Sequence, residues 1–181
     1  MITFQDESAV RLLPSRSKSY SPVGISPLIK CDEKNRDYVS ISGVISTSGK
    51  LYYEVREKEG FKKQGLIRFL KNCRKKIRKK MLLIWDNAPS HKSKEIKTYL
   101  SQQDKNNPAI WLENTPPYSP ELNPIEQLWG YLKKKLTNKF IKTTRELKQE
   151  VIKALEEIAS DKKLIKSFFR HEELACYQFS D

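Results

Sequence analysis

Three acidic residues stand where a carboxylate can do chemistry. Asp6 follows the β-prone run ITFQ, Asp86 follows the apolar run MLLIW, and Glu126 comes two residues after the proline-rich string TPPYSPELNP. Carboxylate oxygens suit hard divalent cations such as Mg2+ and Mn2+, which keep part of their water shell and need only a few protein oxygens. Two such ions activate an oxygen nucleophile, neutralise a phosphoryl group and steady the leaving oxygen, so the chemistry within reach is in-line displacement at a phosphodiester. Taken singly, an acidic residue among 22 is more commonly a solvated charge or a cap. The weight therefore falls on context. Asn87 and His91, in the string DNAPSH, are secondary candidates. Asn87 orients Asp86 or closes a turn; His91 positions a phosphate or ligand, or makes a loop hydrogen bond. Glu7 and Glu121 compete for the same role, but strand alternation turns Glu7 away from Asp6, and Glu121 sits in the proline loop.

For these groups to meet, two strand ends and a helix start must converge. ITFQ reads as a strand that delivers Asp6 at its exit. Residues 8–36, rich in serine and proline, read as an extended segment or irregular hairpin with a weak strand near Leu28–Lys30. YVSISGVIS (Tyr38–Ser46) and KLYYEVR (Lys50–Arg56) alternate about Thr47-Ser48-Gly49, a hairpin signature. Leu66, Leu70, Cys73 and Ile77 form one face of a basic helix over Phe61–Lys79. MLLIW is a central strand buried on both faces, with Asp86 at its carboxyl end. A helix over Lys92–Gln102, capped near Ser90 or His91, and a strand over Ala109–Leu112 follow.

Asn123 reads as an N-cap, Pro124 as the first helical residue, and Glu126 as part of the first turn. Trp129, one turn on, packs this helix on the sheet and fixes the carboxylate rather than stacking on a base. Helices over Thr144–Ala159 and Lys162–His171 close the chain. This order predicts an α/β, RNase H-like fold: a mixed five-stranded sheet flanked by helices, with its working groups at the carboxyl ends of strands.

At 181 residues, 38% hydrophobic and 31% charged, the chain fits one domain. A net charge of +13 favours polyanions, with nucleic acid first among them. Lys71, Arg74, Lys75 and Arg78, and then Lys133 and Lys134, either track a DNA backbone or form solvated faces. Cys31, Cys73 and Cys176 are widely spaced and odd in number, which reads as free thiols. With neither a membrane span nor a secretory leader in view, a soluble, cytoplasmic protein is expected.

The strings FQDES, LLIWDNAPSH and PPYSPELNPIEQLW resemble, in order, the three carboxylate blocks of DDE transposases of the mariner superfamily, especially its bacterial insertion-sequence branch. RLLPSRSKSYSPVGISPLIK and RDYVSISGVISTSGKLYYE resemble the segment joining the first two blocks, so the resemblance spans about Ile2 to Lys135. SPELNPIEQLW is its most specific part. The 39 residues between Asp86 and Glu126 make a long interval for this family, which the polar loop SQQDKNNP absorbs, and Tyr20 stands where many relatives carry tryptophan.

The resemblance implies a single RNase H-like DDE catalytic domain over 1–181, with C-terminal helices from about 144. It implies Asp6, Asp86 and Glu126 as ligands to two Mg2+ or Mn2+ ions, cleavage at transposon ends, and transfer of a 3′-hydroxyl strand to target DNA at TA dinucleotides. The implied partners are double-stranded DNA and a second copy of the chain in a synaptic complex. Family members begin with helix-turn-helix modules. None precedes Asp6 here, so a separate helix-turn-helix protein is one expectation and a truncated remnant another. A non-catalytic DNA-binding fragment and a different RNase H-fold nuclease stay open as alternatives.

Overall fold

The alternating segments at the front of the chain pair into one sheet. Strand β1 (Ile2–Arg11) runs antiparallel to β2 (Tyr38–Ser46), which turns into β3 (Leu51–Glu57). Gly49 carries that turn at φ +79°, a left-handed conformation suited to glycine. β4 (Met81–Trp85) and β5 (Ile110–Asn114) add in parallel on the far side of β1, giving the order β3-β2-β1-β4-β5. The computed structural model describes residues 1–12, 20–25, 37–89, 91–102, 109–117, 119–139 and 141–170.

Strand alternation divides the apolar side chains between two faces. Phe4, Val39, Ile41, Ile45 and Ile84 pack with α3 (Pro124–Leu136), α4 (Thr144–Ser160) and α5 (Lys162–Ser167). Val44, Met81, Leu83 and Trp85 pack with α1 (Lys63–Lys76) and α2 (Lys94–Ser101). The mixed five-stranded sheet with helices on both faces is the architecture anticipated from the element order. Among the described residues no helix is long and apolar enough to cross a membrane.

Several boundaries differ from expectation. β1 does not end at Gln5: it pairs with β2 as far as Arg11↔Tyr38, so Asp6 lies inside a strand rather than at its exit. On the other edge of β1 the pairing with β4 stops at Phe4↔Ile84, and this local end of the sheet leaves room beside Asp6. Helix α1 is shorter than Phe61–Lys79. Arg56 lies 4.2 Å over the Phe61 ring at its start, and Ile77 turns extended at its end, where Arg74 donates to the carbonyls of Ile77 and Lys79. α2 begins at Lys94 behind Ser93, β5 runs to Asn114, and α5 stops at Ser167. The strand near Leu28–Lys30, Ser90, the end of the last helix at His171, and most of the SQQDKNNP loop lie outside the described residues, as do Cys31 and Cys176. Cys73 is a buried free thiol.

One glycine sets how closely α3 approaches the sheet. Gly43 pairs with Asp6 across β1 and β2, and a Cβ there would lie 2.7 Å from Trp129 Cη2 and 3.2 Å from Ile125 Cδ1. Gly43→Ala should therefore lower the unfolding free energy by about 1–3 kcal/mol through overpacking. Gly130, on the exposed side of α3, has nothing within 4 Å of an added Cβ. Gly130→Ala should raise stability by about 0.5–1 kcal/mol through helix propensity. Urea unfolding of both variants checks the pair, and unchanged stability in Gly43→Ala would contradict the close packing.

Candidate active site

Three separate elements deliver the three carboxylates. Asp6 projects from β1, Asp86 is the first residue beyond β4, and Glu126 stands in the first turn of α3. Carrying the parallel register Phe4↔Ile84 forward by two residues sets Asp6 level with Asp86. All three line one cavity of about 420 Å³, together with Asn87, Lys92 and Asn123 and with Pro116, Pro117 and Pro120 of the proline-rich segment. Among the described residues, no three Asp, Glu, His or Cys side chains are gathered into a ready-made metal cage. The carboxylates border a shared space instead.

Asp6 is buried, 9% exposed, and its Oδ2 accepts a hydrogen bond from Trp129 Nε1 at 3.0 Å. Burial, then the negative charge of Glu126 and that of Glu7, pushes the Asp6 carboxyl up to about 7, against the backbone N–H of Glu7 and the Trp129 donor, which favour the anion. Glu126 is exposed, in the first turn of α3, where the helix N-terminus favours negative charge. Trp129 itself is core, 1% exposed, as anticipated; the carboxylate it touches is that of Asp6.

Asp86 is oriented by its own loop. Its Oδ1 accepts from the Ala88 backbone N–H at 2.9 Å and lies 2.6 Å from His91 Nδ1. His91 is 3% exposed and stacks on Trp85 with centroids 4.3 Å apart and planes 5° apart. Its Nε2 lies 3.2 Å from Glu7 Oε2. Burial opposes a charge on this ring, but the hydrogen bond and charge of Glu7, reinforced by Asp86, raise its pKa overall. Asn87 Nδ2 donates to the Thr115 carbonyl at 2.5 Å, which ties the loop after β4 to the exit of β5.

Glu7 thus points to the face opposite Asp6, as alternation requires, and Glu121 is exposed on the short 3-10 turn Pro120–Leu122. Asn123 holds the cap position of α3, yet its side chain makes no cap hydrogen bond, and its buried Oδ1 has no partner. Lys92, an exposed cation on the cavity wall, and the Asn123 carboxamide were missed by sequence reading, since a lone lysine and an apparent N-cap give no distinguishing signal. The basic candidates are not brought together with the carboxylates. Lys71, Arg74 and Lys75 lie on α1 with Arg78 just beyond it, against the opposite face of the sheet from α3. Arg74 is engaged with backbone carbonyls, and Lys71 lies 5.5 Å from the Tyr99 ring centroid. Lys133 and Lys134 are exposed in the last turn of α3, about two turns and ~10 Å along the axis from Glu126.

The raised pKa of Asp6 has a measurable sign. The folded chain holds this proton up to about pH 7, whereas an ordinary aspartate releases it near 3.8, so between those values the folded state binds more protons than the unfolded. Stability from this group is full below about pH 4, declines as pH rises towards 7 and is flat above, a change on the order of 4 kcal/mol at most. Asp6→Asn should flatten that decline and be the more stable protein at pH 8 in EDTA. Denaturant titrations at several pH values read it, and parallel profiles for parent and variant would refute the assignment.

Residues 1–148 match the family model described as DDE superfamily endonuclease. The fold is similar to the solved catalytic domain of Mos1 mariner transposase at TM-score 0.62 and 18% identity, covering 92% of this chain and 74% of that one. It is also similar to the mariner Mos1 paired-end complex with Mg, at TM-score 0.72, and to the Mos1 strand transfer complex, at 0.71, each at 21% identity over 92% of this chain. The chain spans about half the length of the Mos1 chains in those two complexes, 50% in each. No curated protein matches it by sequence. The sheet order and flanking helices are thus RNase H-like, and by its match over 148 of 181 residues the chain belongs to the DDE superfamily endonuclease family.

Proposed function

We propose that this chain is the catalytic core of a DNA transposase, in which Asp6, Asp86 and Glu126 hold divalent cations, Mg2+ or Mn2+, at the phosphodiester to be cut. One observation carries the reading: three carboxylates from three elements far apart in sequence line a single open cavity. Its donor set is all oxygen, which suits Mg2+ and Mn2+ rather than thiophilic metals. The mutual charge of Asp6 and Glu126, which helps to hold the Asp6 proton to about pH 7, is what a cation would relieve. The resemblance to Mos1 complexes solved with Mg and with Mn supports the same choice.

Held by Asp6, Asp86 and Glu126, such ions would supply activation of the attacking oxygen, neutralisation of the phosphoryl oxygens and stabilisation of the leaving oxygen. The protein's own residues do the rest. Trp129 holds Asp6 by one oxygen, Asn87 pins the loop behind Asp86, and the rigid first turn of α3 presents Glu126. The reaction proposed is in-line attack by water at transposon ends, followed by in-line attack of the freed 3′-hydroxyl on target DNA. Lys92 lies on the cavity wall, where a phosphate would meet it. Lys75 and Arg78 beyond the sheet, and Lys133 and Lys134 along α3, are exposed cations for the flanking DNA backbone. A pair of chains on paired transposon ends, with a helix-turn-helix module for end recognition, completes the proposal, in line with the paired-end assemblies of Mos1.

Purified protein should bind Mn2+ and nick plasmid DNA in Mg2+ or Mn2+, and Asp86→Ala should remove both properties while keeping the thermal unfolding midpoint within a few degrees. Nicking at an unchanged rate in Asp86→Ala would reject the mechanism. Salt-sensitive DNA binding with neither metal binding nor nicking would favour a non-catalytic fragment instead.

A further inference from the structure

The loop after β4 carries a buried histidine whose surroundings are more specific than a turn requires. Asp86 has a half-exposed side chain, 49% accessible, so packing does little to fix its carboxylate, and the second torsion of aspartate is broad. The Ala88 N–H donates to its Oδ1, and His91 Nδ1, which hydrogen-bonds the Asp86 backbone carbonyl at 3.3 Å, lies 2.6 Å from that same oxygen. The other oxygen is then the one left for the cavity that Asp86 lines.

His91 is itself held on three sides. Its ring lies flat on Trp85, its Nε2 meets Glu7 Oε2 at 3.2 Å, and its backbone N–H donates to the Ala88 carbonyl at 2.9 Å. Glu7 in turn accepts on Oε1 from Gln5 Nε2 at 2.6 Å, and the fully buried Gln5 side chain reaches Ser42 Oγ at 3.2 Å. The result is a continuous path of polar contacts from β2 through β1 to the loop after β4: Ser42, Gln5, Glu7, His91, Asp86. β1 thereby serves the cavity twice, with Asp6 on one face and Glu7 supporting Asp86 from the other.

We infer that His91 is a positioning residue, buttressed by Glu7, which locks the Asp86 carboxylate so that it presents a single oxygen to a divalent cation. This rests on the reading of Asp86 as a cation ligand. Outer partners of this kind orient a ligand that would otherwise sample several rotamers, and their removal typically weakens metal binding ten- to hundred-fold.

The test uses Mn2+ affinity of the purified chain, read by electron paramagnetic resonance, beside the thermal unfolding of each metal-free variant. His91→Phe keeps an aromatic ring against Trp85 and removes both nitrogens; Mn2+ binding should weaken ten- to hundred-fold with little change in unfolding midpoint. His91→Asn restores a donor near the position of Nδ1 and should recover most of that loss. Glu7→Ala should weaken binding several-fold, and the double variant His91→Phe/Glu7→Ala should bind no worse than His91→Phe alone, because Glu7 acts through the histidine. Wild-type affinity in His91→Phe overturns the inference. If His91→Phe fails to fold, Glu7→Ala carries the test, and unchanged affinity there overturns it equally. Wild-type protein that binds Mn2+ no better than Asp86→Ala would instead reject the metal-site reading on which the inference stands.

Discussion

Trp129 Nε1 donates to Asp6 Oδ2 at 3.0 Å between α3 and the middle of β1, and both partners are buried. A carboxylate in that position is costly unless a donor meets it. The indole supplies the donor, and with it fixes the height and rotation of α3 on the sheet. The same rotation places Glu126, one turn earlier, at the cavity. Gly43 makes the approach possible, since any side chain at its place on β2 would occupy the volume of the indole. Core packing and site geometry are therefore set by one contact.

Much of this was legible in the sequence because it rests on local patterns. The alternation in YVSISGVIS, the unbroken apolar run MLLIW and the helical spacing of Ile125, Leu128, Trp129 and Leu132 each encode their element directly. Local patterns left Asp6, Asp86 and Glu126 as three acidic residues among 22; it was the resemblance of FQDES, LLIWDNAPSH and PPYSPELNPIEQLW to the carboxylate blocks of DDE transposases that singled them out, and the three line one cavity. The extension of β1 through Asp6 was not legible, because its cause is the long partner β2 rather than anything in DESAVR. Nor was the end of α1, where the Arg74 side chain competes for the carbonyls that follow the helix. Asn123 looked like a cap by type and position, yet its side chain was left facing the cavity wall.

The electrostatics divide the acidic residues by purpose. Glu7 and Asp6 are neighbours in sequence, but strand alternation sends them to different faces and different partners. Glu7 meets a histidine behind the cavity, whereas Asp6 meets an indole N–H and the Glu7 backbone N–H and lies in the field of Glu126. The folded protein thus sets Asp6 against Glu126 at the cavity, where Asp6 holds its proton up to about pH 7, and pairs Glu7 with a histidine behind it. In a chain of net charge +13, these carboxyls gather acidic groups at one cavity while the net field of the surface attracts polyanions.

The parallel pairing of β1 with β4 joins residues such as Thr3 and Leu83, and the contact of Asp6 with Trp129 spans still more of the chain, at a separation of 123 residues. Contacts so distant in sequence close late, after the loops between them have lost most of their freedom. The β1–β2–β3 meander and α1 can form from the first 76 residues, but the cavity has no third wall until α3 has been synthesised and docked. During synthesis the assembled acidic site is therefore a late feature, and a nascent chain carries the basic helix α1 before Asp6, Asp86 and Glu126 can meet.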